Sequence, residues 1–419
     1  MFNLGVRMNI ILFAIPVFFL LIAAELIAEK VKKTDYYRLN DAITSLSIGG
    51  LSRIMGVMKN LTPFTIYILL YEHFALFELK QSMWVWLAVF VIYDFLYYWN
   101  HRFGHEMSFF WAAHVVHHSS EDYNLTTALR QSSGSFFNFI FFLPLAFFGV
   151  DPILLVSVGS VNLVYQFWVH TRHVGKLGFI EWFMVTPSNH RVHHAQNQVY
   201  LDRNYGGVFI IWDRLFGSYQ DELDHEKPIY GVRKALKSWN PFYANIQVYK
   251  QLIQDSLYTQ KWSDKLKVWF GRTGWRPDDV SQKFPLARVD LSQFSAYQTE
   301  ISLITKIYCL LQYVIISLLA LYLLINANML SVSYQLGISF FVIVSSINVA
   351  WIMENKRIAI WLEWLKLLVS AVFLFSADLG AYASVAYIPI LLSVILQIQL
   401  YYQRKNQLVD NSELNTLKN

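Results

Sequence analysis

The chain has 419 residues, 55% of them hydrophobic and only 15% charged, with a mean hydropathy of +0.34. A water-soluble domain of that size needs more polar surface, so the bilayer is the natural solvent for much of the chain. The net charge is +5, no nucleic-acid partner is expected, and one cysteine, Cys309, excludes a disulfide framework.

The first apolar run extends from Asn9 to about Ala28. It is too long for a signal-peptide core and lacks a clear small-residue cleavage site, so a retained anchor helix is expected. Residues 40–59 are mildly apolar with a Gly-Gly break, which suits an interfacial or re-entrant helix. Further stretches long enough to span lie near 61–79, 82–100, 135–150, 152–170, 303–326, 332–352, 358–377 and 383–402, nine with the first. The fourth and fifth of the nine are short, as tilted or re-entrant segments would be.

Lys30, Lys32, Lys33, Arg38, Arg53 and Lys59 follow the first span, and the segment 171–302 is rich in both basic types. Lys356, Arg357, Arg404 and Lys405 fall at later connections, whereas the opposite connections hold only Lys80, with Arg7 in the N-terminal tail. Nine spans put every basic segment on one side, which the positive-inside rule makes cytosolic. The expected fold is an all-α integral membrane protein of about nine transmembrane helices with a helical histidine-box cap at the cytosolic face. Its parts are an anchor (1–39), a histidine-box domain (40–235), an amphipathic segment (236–302), a four-helix bundle (303–405) and a polar tail (406–419).

Ten of the twelve histidines lie between His101 and His194. They form His101-Arg-Phe-Gly-His105, His114-Val-Val-His117-His118 and His190-Arg-Val-His193-His194, with His170-Thr-Arg-His173 between the last two. Helix residues three and four apart share a face, so each box can aim two or three imidazoles at one point. Neutral imidazole suits iron, zinc, copper and nickel. Eight box histidines exceed what one metal accepts, and no H-E-x-x-H with a general-base glutamate is present, so two irons are preferred to zinc. His73 and His225 read as ordinary residues, and His173 is left open as a ligand, outer or surface group.

Asp94 is seven residues before His101, on the same helical face and inside an apolar span, where an ionisable group is either functional or a packing hydrogen bond. Glu121 would lie one turn beyond His117 and His118 if that helix continued. Asp202, Asp213 and Arg214 could be salt-bridge or capping residues.

The three boxes resemble the fatty acid hydroxylase/sterol desaturase superfamily, and within it the alkylglycerol monooxygenase family. The stretches that carry the resemblance are Tyr97-Tyr98-Trp99-Asn100-His101-Arg102, HHSSEDYNLTTALRQS (117–132), QFWVHT (166–171), TPSNHRVHH (186–194) and NYGGVFIIWDRLFGSY (204–219). It covers roughly residues 40–235. The resemblance implies a di-iron centre, O₂-dependent hydroxylation of a lipid, ether cleavage in glyceryl ethers and tetrahydrobiopterin as reductant. Matching positions imply His101, His105, His114, His117, His118, His190, His193 and His194 as ligands, with His170 a further candidate. Glu121 and Asn124 are implied as catalytic or supporting residues, and Asp94 stands with them as a candidate on its own spacing from His101. Asn189 departs from the pattern, since relatives often have another histidine there.

No dinucleotide motif and no cytochrome b5 haem motif accompanies the boxes, so an external electron donor is expected. A sterol or fatty-acyl hydroxylase or desaturase shares the boxes and differs in pocket shape. A histidine-rich metal transporter would place its ligands mid-span, whereas these fall at span ends. A bacterial inner membrane and the endoplasmic reticulum both suit the chain.

Overall fold

The computed structural model describes residues 5–59, 61–287, 289–376 and 387–401. All regular elements among them are helical, with three isolated β-bridges and no strand. The chain divides into two compact units, Met1–Lys237 with Tyr243–Tyr297, and Ser238–Phe242 with Gln298–Asn419.

The first unit holds α1 (Gly5–Lys32), α2 (Leu39–Lys59), α3 (Leu61–Phe74), α4 (Met83–Glu106), α5 (Ser108–His118), α6 (Leu125–Ala128), α7 (Leu143–Phe147), α8 (Pro152–Trp168), α9 (Pro187–His193), α10 (Ile211–Leu215), α11 (Pro241–Tyr258) from Tyr243 onward, α12 (Trp262–Phe270) and α13 (Asp278–Lys283). Its apolar packing explains why the anchor helix is integral to it. Ala14, Phe18 and Ile22 of α1 bury against Leu125, Ala128 and Phe167, with the Phe18 and Phe167 rings stacked at 4.1 Å. Glu25, buried on the same helix, accepts the Leu125 N–H at 2.9 Å and also takes hydrogen bonds from Tyr37 and Thr171. The amphipathic segment also joins this unit, because Leu252 and Val268 pack on Ala112 of α5.

Helix α2 runs unbroken through the Gly-Gly pair. Gly49 is there for closeness: a Cβ would stand 2.2 Å from the Leu129 carbonyl oxygen. Helix α4 starts on the Ser82 cap, which accepts from the Val85 N–H, and continues past residue 100 through the whole first box. Met107 is extended, and α5 begins immediately after it. The apolar stretch at 135–150 divides into a 3₁₀ turn (Phe136–Phe142) and the five-residue α7, with Pro144 in α7's first turn. A proline there fits a new helix start and lacks the N–H a continuing helix needs.

The second unit contains α14 (Leu303–Asn326), α15 (Val332–Met353) and α16 (Ile358–Ser376). Among the described residues these three helices are long and apolar enough to cross a membrane. Phe136–Phe147, Pro152–Trp168 and Tyr387–Tyr401 are apolar but shorter. The count of nine spans is therefore not confirmed among the described residues: α3 has 14 residues, and the stretches at Phe136–Phe147 and Pro152–Trp168 are short. The ninth stretch is described only in part, and the polar tail lies outside the described residues. Buried polar groups tie the bundle together. Glu363 accepts from Asn348 at 2.6 Å and pairs with Lys366 at 2.6 Å, and Lys366 donates to Gln312 at 2.7 Å. Cys309 is buried on α14.

Candidate metal centre

Box one lies on α4, box two on α5, and box three on α9. His170 follows the end of α8, a helix opened by Asp151, whose carboxylate accepts from the Ile153 and Leu154 N–H groups. Helix α9 has only seven residues and depends on its cap. Thr186 and Asn189 form a reciprocal capping box, in which Asn189 Oδ1 accepts the Thr186 N–H at 3.1 Å. Asn189 thus starts the helix that carries the third box, a role a histidine there would fill less well.

The folded chain brings nine histidines together in two groups. His101, His105, His114, His118 and His193 form one, and His117, His170, His190 and His194 form the other; in each, ligand atoms lie within 4.8 Å of one another. All nine candidate ligands are in these groups. His173 is outside them, with its ring against Tyr36 at 5.1 Å. The groups adjoin, since the His118 and His194 rings stack at 4.2 Å.

Four of the rings are aimed by backbone carbonyls. His101 Nδ1 donates to Tyr205 O at 2.8 Å, His117 Nδ1 to Arg130 O at 3.1 Å, His170 Nδ1 to Gln166 O at 2.8 Å and His193 Nδ1 to Arg203 O at 2.9 Å. A carbonyl only accepts, so the proton sits on Nδ1 and the Nε2 lone pair is left for a metal. His117 Nε2 and His170 Nε2 nevertheless face each other at 3.2 Å. Two lone pairs at that distance repel unless a cation lies between them. A proton is a poor candidate, because burial pushes the His117 pKa down to about 4. Burial likewise holds His114, His118, His190, His193 and His194 well below the usual imidazole range. His105 Nε2, His193 Nε2 and His194 Nε2 are buried without a hydrogen-bond partner. Neutral, converging, unsatisfied imidazole nitrogens fit a pair of transition-metal ions.

The loop 204–219 supplies the Tyr205 carbonyl, and two buried carboxylates shape it. Asp94 accepts from Val208 N at 2.8 Å, Phe209 N at 3.0 Å, Trp212 Nε1 at 2.9 Å and Asn162 Nδ2 at 2.7 Å. Asp213 accepts from Tyr205 N, Gly206 N and Ser218 Oγ, each at 2.7 Å. Gly207 passes so close to Asp94 that a Cβ would stand 2.9 Å from Oδ1.

Among the described residues, Asp94, Glu121 and Asn124 make no hydrogen bond to a box histidine. Helix α5 stops at His118, which puts Glu121 in a loop, where its carboxylate holds the Tyr297 N–H. Asn124 caps α6, accepting from Thr126 N at 3.0 Å and donating to Tyr36 O at 2.8 Å. Arg130 is the residue that spacing alone does not point to. Its guanidinium, 1% exposed, donates to Val116 O and Ser119 Oγ and stands 3.6 Å from Asp41, while its own carbonyl holds His117.

A cavity of about 170 Å³ opens onto both groups, touching His101 and His114 of one and His117 and His170 of the other. Phe18, Leu129, Leu163, Val164 and Phe167 give it an apolar wall.

The fatty acid hydroxylase family matches residues 86–218, the stretch that contains all nine histidines. An alkylglycerol monooxygenase of Homo sapiens is 35% identical over 370 residues, 85% of this chain and 80% of that protein. The chain belongs to the alkylglycerol monooxygenase family. Its Danio rerio relative of that name is 35% identical, over 84% of this chain and 79% of the relative. One from Xenopus tropicalis is 42% identical over 263 residues, 62% of this chain and 58% of the frog protein. No solved structure is significantly similar. Family membership places the histidine cage in a superfamily of O₂-dependent lipid hydroxylases embedded in membranes.

Proposed function

We propose that this chain is a membrane di-iron monooxygenase that oxidises the carbon beside the ether oxygen of an alkylglycerol lipid. One iron would be held by His101, His105, His114, His118 and His193, and the other by His117, His170, His190 and His194. The observation that carries this reading is the facing pair of lone pairs on His117 and His170, in a cage divided between two centres and open to an apolar cavity. The family of the relatives directs it to ether lipids.

When bound, the iron pair supplies O₂ activation and removal of hydrogen from an unactivated C–H bond. Overall, O₂, two electrons and two protons convert the C–H to C–OH and release one water. The hydroxyl proton then passes to the ether oxygen, the C–O bond breaks, and an aldehyde and glycerol result. The chain's own work is to aim the imidazoles, hold the alkyl chain along the Phe18–Phe167 wall, and keep water from the reacting carbon. Asp94, Glu121 and Asn124 are proposed as positioning residues: Asp94 for the loop that holds His101, Glu121 and Asn124 for the segment after box two.

Electrons come from an external donor, with tetrahydrobiopterin as the proposed reductant. The distribution of Lys and Arg supports a cage at the cytosolic face, in a bacterial inner membrane or the endoplasmic reticulum.

The test is aerobic incubation of the purified protein with labelled alkylglycerol, with and without tetrahydropterin, followed by lipid mass spectrometry and metal analysis. Fatty aldehyde, glycerol and two irons per chain are expected. One metal or none per active chain overturns the dinuclear reading, and turnover of acyl lipid or sterol in place of alkylglycerol overturns the substrate.

A further inference from the structure

Arg53, on α2, lines the cavity that reaches the histidine cage. Ser52 beside it donates to Ser132 O at 2.9 Å, which sets this turn of α2 against the segment containing Gln131 and Ser132. Both of those residues also line the cavity and are neutral. Among the described residues, no carboxylate lines it, and Arg53 makes no hydrogen bond or ion pair. Burial alone acts on its guanidinium, with no acid near enough to offset it. Arg53 is half-buried, whereas Arg38, Arg130 and Arg191 nearby in the unit each face a carboxylate, Asp122, Asp41 and Glu222 respectively.

A guanidinium remains charged in any protein environment, and a desolvated one without a counter-charge is costly. Its planar fork matches a phosphate bidentately. The cavity thus joins an apolar wall, a metal cage and one uncompensated cation, the complement of a single-chain lipid with an anionic head. We infer that Arg53 anchors a phosphate on the substrate's headgroup, so that the cavity favours phosphate-bearing ether lipids over uncharged alkylglycerols. The inference rests on the ether-lipid reading above and adds the residue that ranks substrates within it.

The experiment compares 1-alkylglycerol with its 3-phosphate on full-length protein in nanodiscs. Binding is measured without oxygen, where no turnover occurs, and kcat and KM are measured with oxygen. Wild type is expected to bind the phosphate lipid about tenfold more tightly or better, as one charge-assisted bidentate contact allows. R53Q should bring that ratio close to one, mainly through KM, and R53K should restore part of it, with two metals per chain in each variant. A preference that survives R53Q, or an equal loss for both lipids, overturns the assignment. So does inorganic phosphate competing at the concentrations of the phosphate lipid, which would make Arg53 a site for a soluble anion. If the binding ratio behaves as expected but neither lipid is oxidised, the ether-cleavage reading fails and the headgroup anchor stands. If alkylglycerol is oxidised with no preference between heads, only the anchor fails.

Discussion

His118 joins His114 in one histidine group, and its neighbour in the chain, His117, joins His170 in the other. Helical geometry explains the division. Residues four apart are nearly in line on a helix, whereas consecutive ones are rotated by about 100°. In box two the i,i+4 pair His114 and His118 serves the first group and His117 the second. Box three is reversed: His190 and His194 serve the second group and His193 the first. Substitution of His117 and of His118 should therefore remove different metals. H117A and H118A should each lower metal content from two towards one, with distinct Mössbauer signatures lost, and reduce turnover by more than about a hundredfold, beyond the usual effect of an outer partner. Identical residual spectra in the two variants would refute the division.

The carbonyl contacts make a second prediction. Asp213 to Ala leaves the Tyr205 and Gly206 N–H groups without their acceptor, at about 1–3 kcal/mol for each buried group. The Tyr205 carbonyl then no longer holds His101. Metal affinity of the first group should fall about 10–100-fold, while the group containing His117 keeps its affinity. Stepwise metal titration checks this, and equal weakening of both sites would count against it.

Asn124 and Glu121 separate positioning from chemistry. N124A removes a helix cap worth about 1 kcal/mol and should lower the melting temperature while kcat stays within about threefold of wild type. E121Q should behave in the same way. A collapse in kcat at unchanged metal content and melting temperature would return either residue to a direct role.

The metal-free protein should be sensitive to mild acid. Burial lowers the His117 pKa from 6.5 to about 4. The unfolded chain therefore takes up a proton at a pH where the folded chain does not. This contribution to stability is complete above pH 6.5 and is lost as pH falls through 6.5 towards 4. The other buried histidines act in the same direction. Thermal unfolding of the metal-free protein should weaken steeply below pH 6.5, and H117A should flatten that dependence. An apo-protein equally stable at pH 7.5 and 5 would contradict the buried, neutral cage.

The clustering of the nine histidines was legible because imidazole chemistry and helical spacing both act through side chains. His170 emerged from QFWVHT, and the structure brings it among the others. The aiming groups were not legible, because Tyr205, Arg130, Gln166 and Arg203 contribute backbone carbonyls that any residue would provide. Glu121 read as one helical turn beyond the box, but α5 ends at His118 and the Ser119 N–H turns back to Val116 O. Hydropathy outlined the apolar stretches and missed their breaks: Pro144 divides one of them, and α4 carries its helix on through polar histidines. Glu25 carries no signal in the sequence, because its partners Leu125 and Thr171 lie far from it along the chain.

The reversed use of boxes two and three also bears on how the centre fills. Helices α5 and α9 each bring ligands to both groups, so a first ion that settles between His118 and His193 holds both helices in place. His117 and His194, the chain neighbours of those two residues, are then already aimed at the second site. The ordering cost of the second ion falls on the first, so loading should be positively cooperative, with singly loaded chains scarce at half-saturation.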